Sequence, residues 1–146
     1  MTRYLTLLVL VLAVTATLAE AKAKRLHVTA ELVQQTFTGD LAQPQLGDQL
    51  ITTVVLRDEE GEDAGTGAGA CAIVSVPPLA IRVQCLLTAV FANGQIIFGG
   101  VAPLPAVDVV AQFGILGGTD AFRKARGEAI LTVLSPTLQD AVFDMD

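Results

Sequence analysis

The feature that most constrains this chain is its punctuation. Past residue 23, short runs rich in Val, Ile, Leu and Thr are separated by Gly, Pro, Asn and Asp at fairly even intervals, and no segment repeats its apolar residues at the helical period. Runs of that length and spacing are the pattern of an all-β sandwich or barrel. Eight strands are expected: Arg25–Thr38, Gln49–Asp58, Gly67–Val76, Ala80–Phe91, Gln95–Val101, Val107–Leu116, Glu128–Leu134 and Leu138–Phe143. Asn93-Gly94 is a strong short hairpin signal. Pro103, Pro105 and Pro136 break the chain, because proline cannot donate to a ladder.

The residues ahead of these runs differ in kind. Met1-Thr2-Arg3 is a short basic segment, and Tyr4 to Leu18 is rich in Leu and Val without a charge. Ala19-Glu20-Ala21 and Ala21-Lys22-Ala23 both carry the small-x-small cleavage pattern. Residues 1–23 are therefore expected to be a secretory signal peptide. The apolar stretch falls short of the roughly 20 residues that a membrane-spanning helix needs, so no stable membrane anchor is expected. Residues 24–146 remain as one domain, large enough for a core of its own. A formal net charge of -6 argues against nucleic acid as a partner.

Export permits a disulfide between the two cysteines, Cys71 and Cys85. Facing residues of a hairpin have a constant index sum, and a turn centred on Pro78 sets residue 71 opposite residue 85. Cross-strand neighbours lie at bridging distance. The alternative is a pair of buried free thiols. Strand faces carry a second message. One face of the fourth run reads Ile81, Val83, Cys85, Leu87, Ala89 and Phe91, and the other reads Arg82, Gln84, Leu86, Thr88 and Val90. A wall solvated on one side alternates apolar with polar. Here both faces are largely apolar, which implies that another subunit covers the outer surface. Arg82, Gln84, Thr88 and Gln112 are the pocket candidates if the cysteine face points outward. If it points inward, the cavity is nearly greasy and those residues meet solvent.

Much chemistry is poorly supported. His27 is the only imidazole, and it reads as a surface or pocket-rim residue. Ser75 and Ser135, the serines, lack the G-x-S-x-G elbow, so a catalytic triad is improbable. Too few His and Cys exist to assemble zinc ligands, and no metal is expected. The acidic stretch Asp58–Asp63 lacks the spacing of a calcium loop and reads as a solvated turn. The Gly65–Gly69 stretch is not followed by a helix, which removes the anion-binding logic of a phosphate loop.

The strongest motif is Gly117 to Glu128, GGTDAFRKARGE. Gly117-Gly118 permits a tight corner, Thr119 and Asp120 can bond the following backbone, Phe122 can plug a barrel end, and Gly127 can release the chain into the strand that Glu128 opens. This segment resembles the corner motif of the allene oxide cyclase barrel and dirigent proteins. Gly47-Asp48-Gln49, Gly69-x-Cys71, Gln84-Cys85 and Asn93-Gly94-Gln95-Ile96 running to Gly99-Gly100 resemble that family in order, so the likeness spans about His27 to Phe143. It implies a calycin-type eight-stranded antiparallel β-barrel, commonly a homotrimer, with an apolar cavity. Asp120 and Arg126 fall on the motif's acidic and basic positions and are its catalytic candidates.

The expected function is a secreted barrel that binds a small hydrophobic reactive intermediate and steers its cyclisation or isomerisation without a cofactor. Such steering rests on shape and on a few placed polar groups. The alternative is a non-catalytic secreted barrel that carries a hydrophobic ligand or is purely structural.

Overall fold

The computed structural model describes residues 24–146; the expected signal peptide, residues 1–23, lies outside the described residues. Eight strands form one closed antiparallel barrel, each bonded to the next in chain order, with the last closing on the first. They are β1 (Lys24–Phe37), β2 (Gln49–Arg57), β3 (Asp63–Ser75), β4 (Arg82–Phe91), β5 (Gly94–Pro103), β6 (Val110–Gly118), β7 (Gly127–Ser135) and β8 (Leu138–Met145). Closure removes the unpaired edge that an open sheet would expose. All eight expected strands are present. β3 starts earlier than expected because glycine and alanine pair across the ladder without a β-rich sequence, and β6 starts later because Val107-Asp108 forms a turn closed by the Val109 amide on the Ala106 carbonyl.

The hairpin arithmetic holds. β3 and β4 pair Cys71 with Cys85, and the two are joined by a disulfide. The cysteine face points inward: Val83, Cys85 and Ala89 are buried, while Arg82, Gln84, Leu86 and Val90 are exposed. Inward residues of the other strands complete the core, including Val28, Leu56, Ile73, Ile96, Phe98, Phe113, Ala129, Ala141 and Phe143.

The two ends of the barrel differ. At one end the short helical turn Asp120–Phe122 folds across the opening and buries Phe122. Phe122 packs on Phe91 with ring centroids 5.7 Å apart, and Phe98 and Phe143 meet edge to face above them at 5.1 Å. The Lys24 ammonium lies 4.8 Å from the Phe122 ring centre, a cation–π contact that covers the plug. At the other end the barrel stays open between the β1–β2, β3–β4, β5–β6 and β7–β8 connections.

Candidate functional site: the barrel lumen

A cavity of about 380 Å³ runs down from the open end, within the range of small-molecule sites. Its floor is Phe98, Phe113 and Phe143, and its walls include Leu50, Val54, Leu56, Val83, Leu87, Ala111 and Leu131. Pro103, Pro105, Ala106, Val107 and Pro136 form part of the mouth. The cavity exists partly because β3 presents glycine to it. A methyl group at Gly69 would sit 2.3 Å from Leu87 Cδ2 and 2.7 Å from the Leu86 carbonyl oxygen. Leu87 therefore lies directly over bare backbone, and the Cys71–Cys85 bridge forms the wall beside it.

Polar groups reach the lumen from one side. Thr52 on β2 and Gln139 on β8 are half-buried in the wall, and Gln35 on β1 stands at the mouth. Gln35 arrives there through a bulge. The pairing of β1 with β2 shifts between Leu32 and Gln34, so that Gln35 faces Thr52 and Phe37 faces Leu50. Strict alternation from Val28, Ala30 and Leu32 would have sent Gln34 inward; the bulge inverts the parity, as such insertions do. No charged side chain lines the cavity, and no polar or charged residue is fully buried among the described residues.

Three of the four expected pocket residues are placed otherwise, and the fourth, Thr88, borders the cavity. Arg82, Gln84 and Gln112 stand exposed on the outer face and do not line the lumen. The physical reason is that their strands turn their more apolar face inward. Thr88 borders the cavity from a position of outward parity, where Gly67 leaves the Thr88 carbonyl near the surface of the wall. Asp120 and Arg126 lie at the plugged end, exposed, and neither lines the cavity. Arg126 donates to the Ala125 carbonyl at 2.7 Å. The corner motif is structural, but the Thr119 side chain does not bond the backbone that follows it as expected; it ties the corner back to β5. Gly117 has φ 148°, Thr119 Oγ1 accepts from the Gln95 amide at 3.1 Å, and the Ala121 amide donates to Asn93 O at 3.1 Å, tying the corner to the β4–β5 turn. Gly118 lies against Gln95 O and Phe122, Gly127 against Asp144 O, and Glu128 is exposed. The lumen residues Gln35, Thr52 and Gln139 were not singled out by the sequence; only Thr52 carried a signal, as a member of the apolar face Leu50, Thr52, Val54 and Leu56.

A second polar cluster lies outside the barrel. His27 Nε2 is 2.5 Å from Asp140 Oδ1, and Nδ1 is 3.2 Å from Glu59 Oε1. The hydrogen bond to Asp140, with a smaller contribution from Glu59, raises the imidazole pKa above its ordinary value against a partial desolvation cost. A proton on each ring nitrogen then serves one carboxylate.

No protein-family profile matches the chain, and no curated protein does. Solved structures do match. A pyocyanin demethylase aligns with a TM-score of 0.74 at 21% identity, over 84% of this chain and 100% of that one. AbnU, an exo-specific intermolecular Diels–Alderase, aligns with a TM-score of 0.69 at 20% identity, over 84% of this chain and 98% of that one. A nonspecific heme-binding cyclase that catalyses [4 + 2] cycloaddition during neoabyssomicin biosynthesis aligns with a TM-score of 0.71 at 16% identity, over 88% of this chain and 66% of that one. At these identities the likeness establishes a shared fold: a small eight-stranded barrel of the kind also used by cyclases.

Proposed function

We propose that this chain is a secreted barrel that takes one small, neutral, hydrophobic reactive molecule into its lumen and steers its cyclisation or isomerisation. The observation that carries the reading is the lumen itself, closed at one end by aromatic rings, free of lining charge, and with most of its polar side chains on the β1, β2 and β8 side. An uncharged cavity disfavours a carboxylate ligand, since a buried charge needs a partner. The aromatic floor and the glycine-thinned β3 wall fix shape. Thr52 and Gln139 can hydrogen-bond a carbonyl or hydroxyl as electron density shifts onto it, which is how a few preorganised dipoles lower a barrier. Holding a flexible reactant in one folded conformer supplies the entropic part. The cyclase barrels of the same fold support this reading. Export and self-association are parts of it, motivated by the N-terminal sequence and by the strands that are apolar on both faces.

The test is product stereochemistry. A short-lived allene oxide, a phenoxy radical pair and a linear diene–dienophile substrate are each allowed to react with and without the protein. Enantiomeric excess in at least one product is expected, and it is expected to vanish in Ala111→Phe, which fills the cavity. Racemic products from all three would sink the steering reading. One observation favours a second reading: no polar side chain is fully buried in the lumen. If racemic products coincide with tight uptake of a neutral apolar fluorophore, the protein is a carrier.

A further inference from the structure

Charge is distributed unevenly along this chain. Between Ala64 and Thr119 the only charged residues are Arg82 and Asp108. That segment is β3 to β6, four consecutive staves of the wall. Its outward side chains form an uncharged field. In one row, Ile51 of β2 pairs with Ala70, Ala70 with Leu86, Leu86 with Gly99, and Gly99 with Gly114. The row towards the mouth is Ala72, Gln84 and Val101. Leu86 and Leu116 are 58% and 59% exposed, and Ile51 and Val101 are close to half exposed. Charges flank the field at the strand ends, where Arg82 stands at the mouth and the Arg57–Asp63 ion pair at the plugged end.

The relief of this field matters as much as its polarity. Leu86 and Leu116 stand proud, and a shallow groove between them is walled by Ala70, Ala72 and Gln84 and floored by Gly99 and Gly100. A ridge and a trough thus sit on one surface. Five strands about 4.8 Å apart and some seven residues long at about 3.3 Å each give roughly 500 Å² of sheet per copy. A pair of such faces reaches about 1,000 Å², where specific interfaces begin.

We infer that this field is where a second copy of the same chain docks. Charge selects the occupant. Each copy is strongly acidic overall, but its carboxylates lie at the strand ends, as in Asp58, Glu59, Glu60, Glu62 and Asp63 around the β2–β3 turn, or on the other staves, as in Glu31, Glu128, Asp140 and Asp144. The field between those strand ends carries no carboxylate, so two copies can meet through it without opposing like charges. An uncharged core with charge at the rim is also the composition of interface centres, and the ridge and trough let Leu86 of one copy enter the glycine-floored groove of the other. The inference gives a surface to the self-association in the proposed function.

Sedimentation velocity of the purified full chain at about 1–50 µM, without ligand, tests it. A mass of two or more copies is expected. Leu86→Asp and Leu116→Asp are expected to sediment as one copy with far-UV circular dichroism unchanged, while Leu134→Asp, on the exposed side of β7, keeps the wild-type mass. A wild-type monomer would overturn the inference, as would an unchanged mass in both folded leucine variants. Should one leucine variant unfold, the other decides. A monomer that still yields enantioenriched product would leave the lumen reading standing, and an assembly with racemic products would leave this one.

Discussion

The barrel wall has two unlike halves. The staves β3 to β6 are apolar inside, with the disulfide and Gly69, and largely uncharged outside, where Gln84 and Gln112 stand among Leu86, Gly99 and Leu116 and Arg82 stands at the mouth. The staves β7, β8, β1 and β2 carry polarity on both faces. Thr52 and Gln139 point into the lumen and Gln35 stands at its mouth, while His27, Glu31, Glu128, Asp140 and Asp144 sit outside. A wall that must meet water outside and place a ligand inside needs polar groups on both sides. A wall that is covered outside and supplies only shape inside needs none. The difference teaches that the apolarity of the described barrel is concentrated in one half rather than spread around it.

The two halves also differ in how they are held. The disulfide belongs to the apolar half and closes a loop with a sequence separation of 14. A loop of that size stabilises by about 3 kcal/mol on the chain-entropy account. The Cys71→Ala, Cys85→Ala double variant is expected to lose about that much in urea unfolding. Amide exchange would sharpen the comparison: the added opening is expected in β3 and β4, with β7 and β8 retaining most of their protection. Uniform loss around the barrel would show one cooperative unit and dissolve the distinction.

Glycine separates inside from outside within the apolar half. Gly69→Ala forces a methyl into Leu87 and the Leu86 carbonyl, neither of which can withdraw without moving the lumen wall. Overpacking of this kind costs about 1–3 kcal/mol. Gly114→Ala, on the outer face with nothing within 4 Å of the added carbon, is expected to change unfolding free energy by less than about 0.5 kcal/mol. Melting temperatures of the two variants check this, and equal losses would mean that Gly69 is not held by close packing.

On the polar half, Gln139→Leu tests whether lumen polarity orients a ligand. Losing one neutral hydrogen bond costs about 1 kcal/mol, so affinity for a neutral ketone is expected to fall about 5-fold relative to the hydrocarbon of the same shape. Competition against an apolar fluorophore measures the ratio. An unchanged ratio would remove Gln139 from the site.

How far all this is legible in the sequence depends on the range of the interaction. Strand number and order follow from turn residues, whose effect is local, and the Cys71–Cys85 pairing follows from hairpin register, which is arithmetic. The inward face of β4 is legible only as a default. Val83, Cys85 and Leu87 belong to the wholly apolar face, which ordinarily turns inside, but Leu86 and Val90 beside Arg82 and Gln84 leave a second, mixed face that a covering subunit could reverse. Gln35 is hidden for another reason. Its direction depends on one unpaired residue in the β1–β2 ladder, and nothing in Leu32-Val33-Gln34 announces a bulge. Asp120 and Arg126 stand out as charges in a distinctive motif, yet the turn that buries Phe122 places both at the plugged end.

The smallest effect concerns the outer face of the polar half. His27 joins β1 to Asp140 on β8 and to Glu59 in the β2–β3 turn, so it spans the seam where first and last strands close the barrel. Its pKa is raised in the folded state, chiefly by Asp140. A raised pKa means that the folded protein holds the proton more tightly than the unfolded chain. The stabilisation is then fully present below the ordinary histidine value of about 6.5 and is lost as pH rises through the raised one. The side chain is 40% exposed, so solvent screening holds the contribution to a few tenths of a kcal/mol. His27→Gln is expected to melt slightly below wild type near pH 5.5, where the carboxylates remain charged, and to match it near pH 9. Because the pair is exposed, about 0.5 M salt is expected to shrink the difference, whereas the losses in Gly69→Ala and in the disulfide variant, which arise from packing and chain entropy, are expected to persist. A His27→Gln deficit that grows with pH would reverse the assigned protonation and place a neutral imidazole at the seam.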